Sequence, residues 1–213
     1  MSWFPAITVS RTLGSGGSLI AYQVARRLGW RYCDRSILRF TAKALGLDTV
    51  ALSQQEERPD RLWENILCLL GTGTPEAPYA PPPDLPVYSK DLFDQESQIM
   101  ARILEREPAV LVGRGGFVAF QDRPATLHVH IQASPEFRMR RLVDSGRAVG
   151  LKEAQKLIHA SDRDRAGFIR DISGRDWLDP ANFHLVLDPS RDGFQACEQS
   201  ILDRAPVKVG VPE

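Results

Sequence analysis

Two groups of residues in this chain have the types and spacing for chemistry. The first is small: Gly14, Ser15, Gly16, Gly17 and Ser18 put three glycines and two hydroxyls in five consecutive positions. Backbone N–H groups in such a loop, with the positive end of a following helix, make a concave seat for an anion such as phosphate, because no β-carbon keeps the ligand away. The same residues also suit an ordinary tight turn. The second group is basic. Arg138 and Arg141 are three apart, so they share a face of any helix that carries them, and an arginine pair can grip phosphate oxygens bidentately. Asp162-Arg163-Asp164-Arg165 alternates charge, and Arg114 stands among glycines in Gly113-Arg114-Gly115-Gly116. Salt bridges along exposed helices use the same residue types.

Laid over the signature G-x-x-x-x-G-K-[ST], Gly16 takes the second glycine and Ser18 the hydroxyl that meets a metal ion. Arg11 then stands at the first glycine, and Gly17 at the lysine that reaches the β- and γ-phosphates. Backbone cradling is kept while the point charge is displaced, and Arg11 is the nearest cation to supply it.

The elements that must position these groups follow from periodicity. Ile7 and Val9 are apolar and β-prone, while Ile20, Ala21, Val24, Ala25 and Leu28 recur at helical spacing, so the glycine loop joins a strand to a helix that Gly29 stops. Residues 30–33 read as a short strand ending at Asp34, which is placed to hold a ribose hydroxyl or a phosphoryl acceptor, or to cap a helix. That helix carries Ile37, Leu38, Ala42 and Leu45 and closes at Gly46. Helices over 48–58 and 60–70 are separated by Pro59. Six of residues 71–88 are proline, which reads as a long exposed loop, lid or linker. Ser89 caps a helix to about residue 106, with Leu92, Phe93, Ile99, Ile103 and Leu104 as its buried stripe.

Ala109–Val112 is a continuous apolar run suited to a central parallel strand, with Arg114 facing a cleft at its end. Thr126–Ile131 alternates, which sets His128 and His130 on one face, read as partly exposed; a two-histidine metal site there lacks a third ligand. Ser134 and Pro135 open a helix, Gly146 interrupts it, and a second helix runs from about Leu151. Residues 184–187 form the last strand. Residues 188–204 read as one closing helix with Phe194, Cys197, Ile201 and Leu202 inward, and the tail beyond is loose. Strands alternating with helices predict an α/β fold: about five parallel strands in a three-layer sandwich, helices on both faces.

With 213 residues, the chain suits one domain, or one carrying an inserted lid. Lys plus Arg equals Asp plus Glu at 27 each, so no global field recruits nucleic acid or anionic membrane. Positive charge is instead local: residues 136–175 hold ten Lys or Arg against six Asp or Glu. Cys33, Cys68 and Cys197 lack metal-ligand spacing and read as free thiols in a reducing compartment. No apolar run approaches the roughly 18 residues of a membrane span and no signal pattern is visible, so a cytoplasmic location and no membrane are expected.

From about Ala6 to Ala205 the chain resembles the cytidylate kinase-like family of P-loop nucleoside monophosphate kinases, in the branch whose loop lacks the lysine. Six elements carry the likeness in order. They are Ile7-Thr8-Val9-Ser10-Arg11 with the glycine loop, Tyr32-Cys33-Asp34-Arg35, Val112-Gly113-Arg114-Gly115-Gly116-Phe117, Glu136-Phe137-Arg138-Met139-Arg140-Arg141, Asp162-Arg163-Asp164-Arg165, and His184-Leu185-Val186-Leu187-Asp188. The resemblance implies a P-loop NTPase fold in one domain over 1–213, with a helical acceptor-region insertion over 34–106 containing the loop 71–88, and lid helices over 134–175.

It also implies an ATP- and Mg²⁺-dependent kinase that transfers the γ-phosphoryl group to CMP or dCMP, its partners being these nucleotides. Gly14, Ser15, Gly16, Gly17 and Ser18 then cradle the donor, with Ser18 on Mg²⁺. Arg114 holds the acceptor phosphate. Arg138, Arg141, Arg163 and Arg165 close over the transferring group, with Arg11 replacing the lysine, while Asp34, Asp162 and Asp164 orient the acceptor or the arginines. Departures are Gly17 for lysine, Gly115 for the aspartate after the acceptor arginine, and Gly167 for a lid arginine. They imply as alternative a nucleotide-binding regulatory protein with little catalysis. Nucleic acid is not an expected partner, since aromatic and basic residues are not interleaved.

Overall fold

A sheet of five parallel strands organises the computed structural model, which describes residues 4–34 and 90–206. Its order is β2-β3-β1-β4-β5, with β1 (Ala6–Arg11) central, flanked by β3 (Ala109–Val112) and β4 (Thr126–Ile131), and with β2 (Arg31–Cys33) and β5 (Leu185–Leu187) at the edges. Parallel neighbours cannot be joined by hairpins, so helices cross over between them. Among the described residues these are α1 (Gly17–Leu28), α2 (Lys90–Leu104), α3 (Gly116–Ala119), α4 (Pro135–Asp144), α5 (Leu151–Ser173), α6 (Pro189–Asp192) and α7 (Phe194–Leu202). This is the expected three-layer α/β arrangement. The helices expected within 34–70, the loop 71–88, Cys68, the side chain of Leu92 and the end of the tail lie outside the described residues.

Strand alternation assigns the two layers. On one side Ile7, Val9, Val110, Val112, Val129, Ile131, Leu185 and Leu187 pack with Ile20, Ala21 and Val24 of α1 and Cys197 and Ile201 of α7. On the other, Ala6, Ala109, Leu111 and Cys33 meet Ile99, Met100, Ile103 and Leu104 of α2. Since β1 leads into α1 on the first side and β3 into α3 on the second, a crevice opens at the carboxyl ends of these two adjacent strands, where ligands of open α/β sheets bind. The registers Val9↔Val112 and Ser10↔His130 bring β1, β3 and β4 to that crevice together.

Two local expectations are corrected. His128 and His130 are buried, at 5% and 1% exposure, because the stretch leading to β5 covers their face of β4: Trp177 and Phe183 pack on His130, and the His184 ring stacks on His128. The closing segment is two helices, since the chain turns sharply at Gly193 between α6 and α7. No helix among the described residues is long and apolar enough to cross a membrane.

Candidate active site

The last residue of β1 sets the geometry. Arg11 pairs in register with Ile131 and turns toward the α1 layer. A β-carbon added to Gly17 would lie 2.6 Å from the β-carbon of Arg11, so the arginine stem fills the space where a side chain at position 17 would begin. From there Arg11 Nε donates to Ser18 Oγ at 3.4 Å, and the guanidinium reaches Gly113, where a β-carbon would collide with Nη1. Tyr32, one strand further out, has its phenol pushed up by burial and by Asp34, against the lowering influence of Arg11 and Ser18. Arg11, Ser18, Tyr32 and Asp34 therefore share one end of the crevice.

The loop itself is held by short local bonds and by α4 and α5. Ser15 Oγ donates to the Thr12 carbonyl at 2.9 Å and accepts from the Gly17 N–H at 3.3 Å. Gly16 adopts φ 81°, a left-handed conformation that an L side chain resists, and it caps α1 without any side-chain bond. The first N–H groups of α1 thus lack intrahelical partners, which is the arrangement that seats an anion. Thr12 Oγ1 is buried with no hydrogen-bond partner among the described residues, a second polar atom left over at the loop.

Arg138 Nε donates to the Leu13 carbonyl at 2.6 Å, while Asp162 Oδ1 accepts from the Leu13 N–H at 3.3 Å. Arg138 and Asp162 also pair with each other, so one ion pair from α4 and α5 clamps both polar groups of Leu13. Arg165 Nη1 lies 3.6 Å from the same carboxylate, with its guanidinium 6.0 Å from the Trp177 ring. Arg141 does not join Arg138. It stacks 4.9 Å from the Phe194 ring, which in turn packs against Gly16. Arg163 and Asp164 are exposed, on the part of α5 turned away from the loop.

Arg114 has φ 54° at the turn after β3 and is 7% exposed. It forms an ion pair with Glu96 of α2, and its guanidinium lies 5.6 Å from the Phe168 ring. Arg11, Arg114 and Arg165 line one cavity of about 90 Å³, walled by Phe117, Phe168 and Trp177. Glu96 was not singled out in the sequence, although its place three residues after Phe93 and three before Ile99 puts a charge on a buried stripe. Trp177, which donates to Ser10 Oγ at 2.7 Å, carries no local signal that could have found it.

The histidines behind this cavity are neutral near pH 7. Burial pushes His130 down to about 4, with Asp162 opposing weakly, and neither ring nitrogen has a partner among the described residues. Burial and the neighbouring His184 push His128 to about 4 as well, and its Nδ1 lies 2.7 Å from Thr8 Oγ1. No group of three or more metal-ligating side chains of the His, Cys, Asp and Glu types is found among the described residues.

Comparison with solved structures agrees with this fold. An uncharacterised protein from Eubacterium ventriosum superposes with a TM-score of 0.69 at 14% identity, covering 96% of this chain and 99% of that one. Shikimate kinase from Bacteroides thetaiotaomicron superposes with a TM-score of 0.51 at 13% identity, covering 95% and 99%. At such identities the likeness is one of fold. No curated protein matches the chain in sequence. Residues 6–191, from the first strand through the glycine loop, α4 and α5 to α6, match the sequence profile of the cytidylate kinase-like family. The glycine-rich turn into α1, the parallel sheet around β1 and that match together make this chain a member of the cytidylate kinase-like family of P-loop kinases.

Proposed function

We propose that this protein is an ATP-dependent nucleoside monophosphate kinase that transfers a phosphoryl group to CMP or dCMP, and that Arg11 supplies the charge of the missing lysine. The supporting observation is steric: Arg11 fills the space of a residue-17 side chain, and its guanidinium ends between Ser18 and the turn after β3. Phosphoryl transfer asks the protein for positioning and for positive charge around the equatorial oxygens more than for covalent chemistry. Gly14 to Ser18 seat the donor phosphates through backbone N–H groups, and a side chain at Gly16 would run into the Phe194 ring. Arg114 and Arg165 face the cavity in which an acceptor phosphate would sit. Arg141 lies at the donor edge of the loop, and Arg138 with Asp162 holds that loop in shape.

Ser18 would hold Mg²⁺, which keeps several waters and needs only one or two protein oxygens beside the phosphates. The ion would supply positive charge to neutralise the donor phosphates. Arg163 and Asp164, being exposed, take no part in this assignment.

A second reading is a regulatory protein that binds nucleotides and turns them over little. Its support is that Arg114 and Arg138 are each already paired with an internal carboxylate. One experiment separates the two: coupled ADP release with ATP and Mg²⁺ against CMP, dCMP, UMP, AMP, GMP and no acceptor, with binding of each nucleotide measured alongside. Acceptor-dependent turnover abolished by Arg11→Ala upholds the kinase reading, and turnover indifferent to that change overturns the role of Arg11. Tight binding without turnover selects the regulatory reading, and neither binding nor turnover leaves a likeness of fold alone.

A further inference from the structure

The geometry points to Glu96 as the positioning residue of the acceptor site, fixing the Arg114 guanidinium so that α2 sets acceptor affinity. The inference rests on the reading of Arg114 as an acceptor-phosphate ligand. Arg114 and Glu96 have side chains only 5% and 4% exposed, and Arg114 Nε and Nη2 both contact the same Glu96 oxygen. A carboxylate that engages that edge of the planar guanidinium fixes its orientation as well as its place. The Phe168 ring lies against the arginine, and the Phe93 ring packs on Gly115 closely enough that a β-carbon there would lie 2.8 Å away. Two residues of α2, one turn apart, therefore bear on the two residues of the turn after β3.

Stability does not account for this arrangement. Desolvating a buried ion pair offsets most of its attraction, and apolar residues of similar size hold a core as well. Arg114 also sits at φ 54°, a conformation that non-glycine residues keep only where the surroundings impose it. A strained arginine held by a buried carboxylate at the wall of a cavity is the pattern of a preorganised ligand.

The test is steady-state kinetics of the full chain with Glu96→Gln and Glu96→Asp, varying CMP at saturating ATP·Mg²⁺ and then the reverse. Expected is a rise of about tenfold or more in the KM for CMP with Glu96→Gln, a KM for ATP unchanged within about twofold, and partial recovery with Glu96→Asp. Both KM values moving together, or a fall in Tm with both unchanged, overturns the inference. If Glu96→Gln does not melt cooperatively, Glu96→Asp alone decides: a raised KM for CMP beside an intact KM for ATP supports the inference, and an unchanged one sinks it. A wild type without acceptor-dependent turnover ends the kinase reading, and Glu96 is then judged by calorimetric binding of CMP. Wild-type binding weakened tenfold by Glu96→Gln upholds the orienting role, while equal or absent binding ends it.

Discussion

The β-carbons of Arg11 and of any side chain placed at position 17 would lie 2.6 Å apart, so these two positions share one space. An arginine at the end of β1 is compatible with glycine at the start of α1, and a lysine at the start of α1 requires something smaller at the end of β1.

That exclusivity is testable by exchange. Gly17→Lys alone crowds the Arg11 stem and should cost about 1–3 kcal/mol, the usual range for overpacking. Arg11→Ala alone should lower kcat by about 10²–10³, the range for losing one preorganised charge contact. The double variant Arg11→Gly/Gly17→Lys, which removes the Arg11 β-carbon itself, should recover stability and part of kcat. A double variant no better than either single one, by melting and by coupled ADP release, would refute the shared space.

The clamp on Leu13 predicts an effect on the loop at a distance from the chemistry. Asp162→Ala removes the acceptor of the Leu13 N–H and strands the Arg138 guanidinium, which is 8% exposed. Breaking such a pair by deleting one partner should destabilise by about 2–4 kcal/mol, discounted for the partial exposure of Asp162. Urea unfolding checks this, and ATP affinity should fall in parallel because the loop loses its shape.

Two arginines two residues apart on α5 should differ sharply. Arg165, which lines the cavity beside Trp177, should lower kcat at least about tenfold when changed to Ala, while exposed Arg163 should leave it within about twofold. Equal losses in coupled assays would mean that the outer face of α5 also reaches the transferring group.

Acid should weaken the fold through the buried histidines. His128 and His130 sit near 4 when folded against an ordinary value of 6.5, so the unfolded chain binds more protons in between. Stability is accordingly full above about pH 6.5 and falls as pH drops toward about 4, by at most about 3 kcal/mol for each histidine. His130→Leu should flatten part of that slope and stay within about 1 kcal/mol of wild type at pH 7, because both ring nitrogens lack partners among the described residues. Denaturation midpoints at pH 4.5, 5.5, 6.5 and 7.5 for both chains give the comparison.

Local pattern alone established the parallel α/β class, the glycine turn between β1 and α1, and the short apolar strand before Arg114. Alternation, helical spacing and glycine punctuation are properties of neighbouring residues, and they survive whatever the rest of the chain does. Strand order, and with it the meeting of Arg11, Gly113 and Ser18, depended on pairing between segments about a hundred residues apart. Helical spacing put Arg138 and Arg141 on a shared face, but the Leu13 peptide took one and the Phe194 ring the other. His128 and His130 read as a partly exposed strand face until Trp177, Phe183 and His184 covered them. Which charges line a cavity and which buried carboxylate holds them, as Glu96 holds Arg114, is decided by long-range packing, because the sequence around either partner does not contain the burial that makes their pairing count.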